Sequence, residues 1–180
     1  WRGLSRSQHR KRRRRVQGQN QIEALLEENQ IKLSSVVTDL LGLTGYRILK
    51  ALANGESDPE KLIMLAANNL KASPEELADA LRGAPIAARY RKVLTMQLEE
   101  LDLIDRHIAE LSKELGEALR SQQQPVLRLC EIPGVREDAA WQMIAEIGPE
   151  AAVFETPEQM ASWIGVCPGR EESAGESKSN

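Results

Sequence analysis

Apolar residues recur through the first half of the chain at the three- and four-residue spacing of helices. They are Ile22, Leu25, Leu26, Leu33, Val36, Val37, Leu40 and Leu41. Further along, Asp58-Pro59 and Ser73-Pro74 each place a capping residue before a proline, which is tolerated in the first helical turn. Glu76 completes a capping box with Ser73. These signals predict a set of short helices over residues 22–86.

A second pattern begins near residue 87 and continues without proline to residue 124. Apolar residues are spaced by sevens, and a second, mostly apolar set falls three residues after each, which gives about four heptads. The two sets are Leu94, Leu101, Ile108 and Leu115, and Gln97, Ile104, Leu111 and Ala118. The pattern predicts a coiled-coil helix over residues 87–124 that makes a homo-oligomer through residues 94–118. The alternative is one long helix packed within its own domain.

Composition supports an all-α fold: short helices, a long coiled-coil helix and then a small helical domain. Only 3% of the residues are aromatic, so Leu, Ile, Val and Ala must build the core, and that favours helices over a β-sandwich. No apolar run approaches the roughly 20 residues of a membrane span. The two cysteines, Cys130 and Cys167, fit no metal-ligand spacing. We therefore expect a cytoplasmic protein with no membrane partner, and no metal site in this chain.

The charge is distributed unevenly along the chain. Residues 1–15 contain eight of the 24 basic residues and none of the 27 acidic ones, so this segment carries +8 and the rest −11. A basic block on an acidic body predicts an arm, residues 1–21, that is disordered and binds nucleic acid. Its candidate DNA contacts are Arg12, Arg13, Arg14 and Arg15. The alternative is a solvated tail that binds nothing specific.

The amino-acid composition changes near Gln124, where proline and glycine become more frequent. Residues 126–148 have the form of a helix, a Pro-Gly turn and a second helix, and they resemble a helix-hairpin-helix motif. A glycine turn leading into a helix start exposes backbone N–H groups that attract phosphate. Gly134, Val135 and Arg136 are therefore candidate DNA contacts, although the motif usually has glycine where this chain has Arg136. The alternative is a bare helical hairpin.

Near the end, Cys167-Pro168-Gly169 turns the chain into a polar loop that contains Ser173. No histidine lies near this serine in sequence, since His9 and His107 belong to remote segments. No Ser-His-acid arrangement can therefore be argued within the chain. The residues alone favour a solvated loop serine.

Three blocks, taken together and in order, resemble the C-terminal half of insertion-sequence 110/116/902 transposases, which are related to Piv-type site-specific DNA invertases. The blocks are IKLSSVVTDLLGLTGYRILKALANGESDPEKLIMLA, then IPGV with AEIGPE, then MASWIGVCPGREESAG. The resemblance extends from about Ile22 to Gly175.

The resemblance implies a DNA transposase that cuts and rejoins strands for site-specific insertion, guided in some members by an element-encoded RNA. Members carry an N-terminal RuvC-like domain whose acidic residues bind a divalent metal such as Mg²⁺. A coiled-coil segment follows, and then a C-terminal domain whose serine attacks DNA. By resemblance, Ser173 is the candidate nucleophile, and residues 125–180 are a truncated C-terminal domain.

The sequence departs from the family at both ends. Nothing before Ile22 resembles the RuvC-like half, and the chain closes at Asn180 where the family continues. We therefore expect a DNA-binding fragment of a transposase or site-specific recombinase, with divalent metal needed only by the full-length family and no activity of the fragment alone. The alternative is a non-catalytic helical module that binds DNA and dimerises.

Overall fold

The structure is a computed structural model that describes residues 1–67, 70–82, 85–163, 172–173 and 176–177. Its helices are α1 (Arg2–Glu28), α2 (Leu33–Val36), α3 (Leu43–Ala53), α4 (Pro59–Ile63), α5 (Pro74–Ala80), α6 (Ala88–Ala118), α7 (Gln123–Cys130), α8 (Glu137–Ile147) and α9 (Pro157–Trp163), with a 3₁₀ turn at Arg120–Gln122. Two antiparallel strands of two residues each, β1 (Glu172–Ser173) and β2 (Glu176–Ser177), follow. The predicted all-α fold is confirmed.

The chain forms two compact units. The first unit is Arg6–Glu114, and the second unit is Trp1–Ser5 together with Leu115–Asn180. Each unit has its own cluster of buried apolar residues.

The basic arm, which we expected to be disordered, lies in the 27-residue helix α1. Arginine, lysine and glutamine are good helix formers, and the segment contains no proline. One face of the helix is also packed, since Gln8 in the first unit is only 1% exposed. The packed face could not be predicted from the sequence, because its buried positions near the N-terminus are polar rather than apolar.

Within the first unit, α1 and α6 run antiparallel. Gln8 Nε2 donates to Ser112 Oγ at 2.5 Å, Lys11 Nζ lies 3.1 Å from His107 Nδ1, and Arg15 Nε lies 2.7 Å from Asp105 Oδ1. Further along the pair, a Cβ added at Gly18 would lie 2.9 Å from Leu101 Cδ2. Residue numbers thus increase along α1 while those of their partners decrease along α6, as in an antiparallel pair. The partners of the basic segment lie on the long helix α6.

The core of the first unit contains several residues of the predicted heptad seam. Leu94 and Leu101 of that seam are each at most 2% exposed, and they share one cluster with Leu98 of the same helix and with Ile22 and Leu26 of α1. Over residues 94–101 the seam therefore packs against other helices of the same chain. This agrees with the alternative interpretation, in which one long helix packs within its own domain. The homo-oligomer through residues 94–118 stays a prediction that this packing does not support.

The short helices begin where the sequence indicates. Asp58 accepts a hydrogen bond from the Glu60 amide and caps α4. Ser73 and Glu76 form the capping box of α5, with distances of 3.2 and 2.8 Å for its two bonds. Both caps satisfy backbone donors that the first helical turn leaves without partners.

Helix α1 ends with a left-handed residue at Gln30, whose φ is 59°. The Ile31 amide donates to the Leu26 carbonyl at 2.9 Å, as expected of a Schellman ending. Because glycine adopts this conformation without a Cβ penalty, we expect Gln30→Gly to raise the free energy of unfolding by about 0.5–1 kcal/mol. Ala24→Gly, at an exposed position inside the same helix, should lower it by about 1 kcal/mol. Urea denaturation of both variants measures this, and a loss of stability in Gln30→Gly would contradict the assigned ending.

A polar cluster joins α3 to α6 in the first unit. Tyr46 Oη donates to Asp102 Oδ1, and Lys50 Nζ lies 3.1 Å from Asp102 Oδ2. Burial and then the Asp102 hydrogen bond raise the pKa of Tyr46, and hydrogen bonds to Tyr46 and Asp102 raise the pKa of Lys50. Burial alone would raise the pKa of Asp102, but the hydrogen bonds from Tyr46 and Lys50 and the Lys50 charge outweigh it and lower that pKa.

These shifts predict the pH dependence of stability. Asp102 contributes stability above its unfolded pKa of about 3.9, and this is lost as the pH falls through its lower folded pKa. Tyr46 and Lys50 contribute stability below about pH 10, and this is lost as the pH rises through their raised folded pKa values. We expect Asp102→Asn to flatten both changes, and only modestly, because its side chain is 44% exposed. Urea denaturation at about pH 3, 7 and 11 measures the difference from wild type. Glu99→Gln, at an exposed position on the same helix, is the control, and identical pH profiles for both variants would exclude the linkage.

Candidate nucleic-acid interface

The second unit contains the hairpin that the sequence predicts. Helix α7 ends at Cys130, a turn occupies residues 131–136, and α8 begins at Glu137. The Val135 amide donates to the Ile132 carbonyl at 3.0 Å, which closes the turn. Gly134 has a φ of 86°, in the left-handed region, and a Cβ added there would meet nothing within 4 Å. The backbone conformation therefore favours glycine at this position, and residues 131–134 of the turn are exposed.

The start of α8 combines a feature that attracts phosphate with one that repels it. Arg136 precedes the helix with extended backbone (φ −97°, ψ 168°), provides no side-chain cap and is exposed. The first backbone N–H groups of α8 point outward from the N-terminal end of the helix, and the helix dipole favours an anion at that end. However, Glu137 and Asp138 occupy the first turn. Their carboxylates suit the dipole but oppose a DNA phosphate, so Arg136 supplies the positive charge at this end.

The underside of the hairpin is packed, which fixes the turn in place. Val126 of α7 and Ala140 and Ile144 of α8 are each at most 3% exposed and share a cluster with Leu115 and Leu119. Ala140, a small residue, is fully buried on the packed face of α8. Val135 is partly buried against the same cluster. Its side chain is thus directed to the core and its amide is used inside the turn, so of the three candidates Gly134 and Arg136 present the accessible surface.

Residues 1–5 also belong to the second unit. Arg2 donates to the Glu146 carbonyl at 2.7 Å and pairs with the Glu146 carboxylate at 3.5 Å, and Leu4 packs against the cluster. The first basic residue of the predicted arm is therefore used in folding the second unit.

The four arginines proposed as DNA contacts lie on α1 in the first unit and differ in their surroundings. Arg15 is paired with Asp105, and Arg12, which is partly buried, also has an interaction partner. Arg13 and Arg14 are exposed. The sequence did not predict that Asp105, His107 and Ser112 are partners of this helix. The available signal was the acidic, polar face of the predicted long helix, which matches a basic helix in charge.

Ser173 lies in β1, where it is paired with Glu176 of β2. The structure gives the backbone at this position, while the side chain and the preceding Cys167-Pro168-Gly169 turn lie outside the described residues. Within the described ranges, no group of three or more His, Cys, Asp or Glu side chains is arranged to hold a metal ion. The same part of the chain contains no helix long and apolar enough to cross a membrane.

Comparison with known proteins identifies the hairpin region. Residues 126–180 match the model of the transposase IS116/IS110/IS902 family. The chain is also 24% identical over 163 residues to a probable family 20 transposase of Pseudomonas aeruginosa strain PAO1, and the alignment covers 91% of this chain and 43% of that protein. No solved structure shows a significant match. The resemblance drawn from the sequence is thereby confirmed: residues 126–180 match the model of the transposase IS116/IS110/IS902 family.

Proposed function

We propose that this chain is a DNA-handling segment of an IS116/IS110/IS902-type transposase. The observation that carries the proposal is the family match over residues 126–180, which begins at the α7–α8 hairpin. The Pseudomonas aeruginosa relative, which is named a probable transposase, supports it over most of the chain. Because the alignment covers less than half of that relative, cutting and rejoining DNA, and pairing with a guide RNA, are proposals for the whole transposase.

In this proposal the hairpin contacts the DNA backbone rather than the bases. Gly134 allows close approach of the turn, and Arg136 contributes the positive charge beside the start of α8. Contacts of this type hold DNA without reading its sequence. Arg13 and Arg14, exposed on α1, add further phosphate contacts from the first unit.

The chemistry of strand transfer is assigned to Ser173. Its oxygen would attack a DNA phosphodiester and form a phosphodiester link to one strand end, while the other strand end leaves as a hydroxyl that takes up the proton lost by the serine. Divalent metal, implied by the family, would neutralise charge at the phosphate when bound. The described residues do not fit a metal site, since they contain no suitable ligand cluster, and we assign none of them to the ion.

Binding to DNA should depend on salt through the exposed arginines of α1. Since Gln8 is buried, deleting residues 1–15 would damage the fold, and substitutions give the cleaner test. We expect the double variant Arg13→Gln, Arg14→Gln to make the slope of log K against log salt shallower by about 1.8, or about 0.9 for each lost phosphate contact. Fluorescence anisotropy of labelled duplex DNA at several salt concentrations measures the slope.

A charge-matched control is available in the same unit. Lys71→Gln combined with Arg82→Gln removes two exposed basic residues from a different segment and should leave the slope unchanged. An equal change in both double variants would mean that net charge, rather than the α1 surface, sets the affinity. An unchanged slope in the α1 variant would remove these two arginines from the interface.

A further inference from the structure

A cleft in the second unit lies beside the hairpin and is lined partly by exposed polar side chains that the hairpin turn does not use. It has a volume of about 360 Å³ and extends between the end of α6, the 3₁₀ turn with the start of α7, and the start of α8. Buried Leu119 and Val126 form its apolar floor. Its size and mixed lining are those of small-molecule sites, which are mostly apolar with a few polar groups that fix orientation.

The wall of this cleft is the indole of Trp141. A Cβ added at Gly116 would lie 3.0 Å from Trp141 Cη2 and 3.2 Å from Cζ2. The absence of a side chain at Gly116 thus lets the indole lie close against α6. Trp141 is only partly buried and lines the cleft, so part of its surface is available to a ligand. Aromatic side chains in such positions are the usual platforms for stacking nucleic-acid bases.

The rim of the cleft carries three exposed polar side chains, those of Arg120, Gln123 and Glu137. Arg120 offers only donors, Glu137 only acceptors when ionised, and Gln123 offers both. Among the described residues none of these three side chains has a hydrogen-bonding or ion-pair partner in the second unit. Glu137 stands one helical turn before Trp141, so both belong to the same face of α8.

We propose that this cleft binds one unstacked base of single-stranded DNA. Trp141 stacks on the base, Gln123 and Glu137 hydrogen-bond its edge, and Arg120 contacts the adjoining phosphate. The inference rests on the proposed DNA-handling function and adds to it. The hairpin turn is proposed to contact only the sugar-phosphate backbone of DNA, whereas the cleft is proposed to bind a base. Strand cutting and rejoining exposes unpaired nucleotides, so a site for one of them fits that chemistry.

The rim chemistry also predicts which bases are preferred. The Glu137 carboxylate can only accept hydrogen bonds, so it favours bases with an exocyclic amino group, such as cytosine. Thymine lacks that group and presents carbonyl oxygens that the carboxylate repels. We expect a short oligodeoxycytidylate to bind more tightly than an oligodeoxythymidylate of the same length. Glu137→Gln should reduce this preference because an amide can both donate and accept.

The test uses the fluorescence of Trp141 in the full chain. In the variant Trp1→Phe, Trp163→Phe, Trp141 is the remaining tryptophan. Stacking on a base should quench its emission when oligodeoxycytidylate is added. Duplex DNA, whose bases are already stacked, should bind by anisotropy without quenching.

Two pairs of variants separate the site from general effects. In the wild-type background Trp141→Leu should weaken oligodeoxycytidylate binding roughly 5- to 150-fold, the range expected for losing one stacked base. Trp141→Phe keeps an aromatic ring and should lose less, which guards against a misfolded Leu variant. Arg120→Ala should weaken single-strand binding more than Arg128→Ala, which removes an exposed arginine of α7 that does not line the cleft.

The outcomes distinguish this inference from the function on which it rests. If no DNA of either form binds, both fail. If DNA binds but Trp141 is not quenched and Trp141→Phe and Trp141→Leu bind like wild type, the cleft inference fails while the proposed function stands. Equal or tighter binding of oligocytidylate made of RNA would overturn the assignment to DNA. The expected result is quenching of Trp141 by oligodeoxycytidylate but not by duplex DNA, together with weaker oligodeoxycytidylate binding in Trp141→Leu.

Discussion

Replacing Leu101 with Asp is expected to unfold the first unit. Leu101 is 2% exposed, contacts Gly18 of α1 and belongs to the main apolar cluster. The substitution would place a charge without a partner in an apolar site and would cost several kcal/mol. This is a large part of the 5–15 kcal/mol by which domains are typically stable. Circular dichroism should show loss of helix at room temperature or a sharply lowered melting temperature.

The same substitution two positions away is the control. Leu103→Asp lies on the same helix but at a site that is 43% exposed, so it should leave the fold nearly unchanged. Sedimentation then distinguishes the two interpretations of the seam. If residues 94–118 join copies of the chain, Leu101→Asp should instead give a folded monomer from a wild-type oligomer. A folded, monomeric Leu101→Asp variant would therefore contradict the intramolecular packing described above.

The features that could be predicted from the sequence are those whose signals are local. The start of α5 was predictable because its signals lie within four positions. Ser73 and Glu76 accept hydrogen bonds from backbone N–H groups at the start of the helix, and Pro74 has no N–H that would need a partner. The long helix was predictable in the same way, from apolar spacing and the lack of proline. What the spacing could not decide is whether a heptad seam meets a second copy or another helix of the same chain, since both need the same apolar face.

The structure of the basic segment depends on residues far away in sequence. Arg15 and Asp105 are 90 positions apart, and Gln8 and Ser112 are 104 apart. A run of arginines in isolation resembles a disordered arm, because like charges repel and no apolar stripe is present. The pairing becomes predictable only if α1 and α6 are considered as an antiparallel pair of opposite charge.

The same distinction applies to the candidate site. Gly134 was identifiable because Pro-Gly before a helix indicates a tight turn, and its positive φ agrees. The cleft beside Trp141 was not identifiable, because its lining comes from four separate elements and includes Gly116, whose contribution is the absence of a side chain. Whether Gly134 and Arg136 contact DNA stays a prediction, as does the role of Ser173.

The largest functional effect is expected at Ser173. We predict that a chimera, in which this chain replaces the matching segment of the Pseudomonas aeruginosa relative, forms a covalent adduct with a DNA strand end in the presence of Mg²⁺. Ser173→Ala should abolish it, because losing a nucleophilic serine costs about 10⁶-fold in rate in a hydrolase where it has been measured. The chain by itself, without the rest of that relative, is assayed in parallel as the comparison sample. A denaturing gel of labelled DNA detects the adduct.

Ser177→Ala is the matched control for this experiment. Ser177 lies in the neighbouring strand β2, opposite Glu172. Each of the two substitutions therefore removes one serine hydroxyl from the same pair of strands. If the strand pair matters only as structure, both variants should lose the adduct to a similar degree. If Ser173 is the nucleophile, Ser177→Ala should keep the adduct and Ser173→Ala should lose it, while both still bind DNA in an anisotropy assay. An adduct that persists in Ser173→Ala would transfer the chemistry to another residue, because a phosphodiester link to protein needs a nucleophilic atom that alanine does not have.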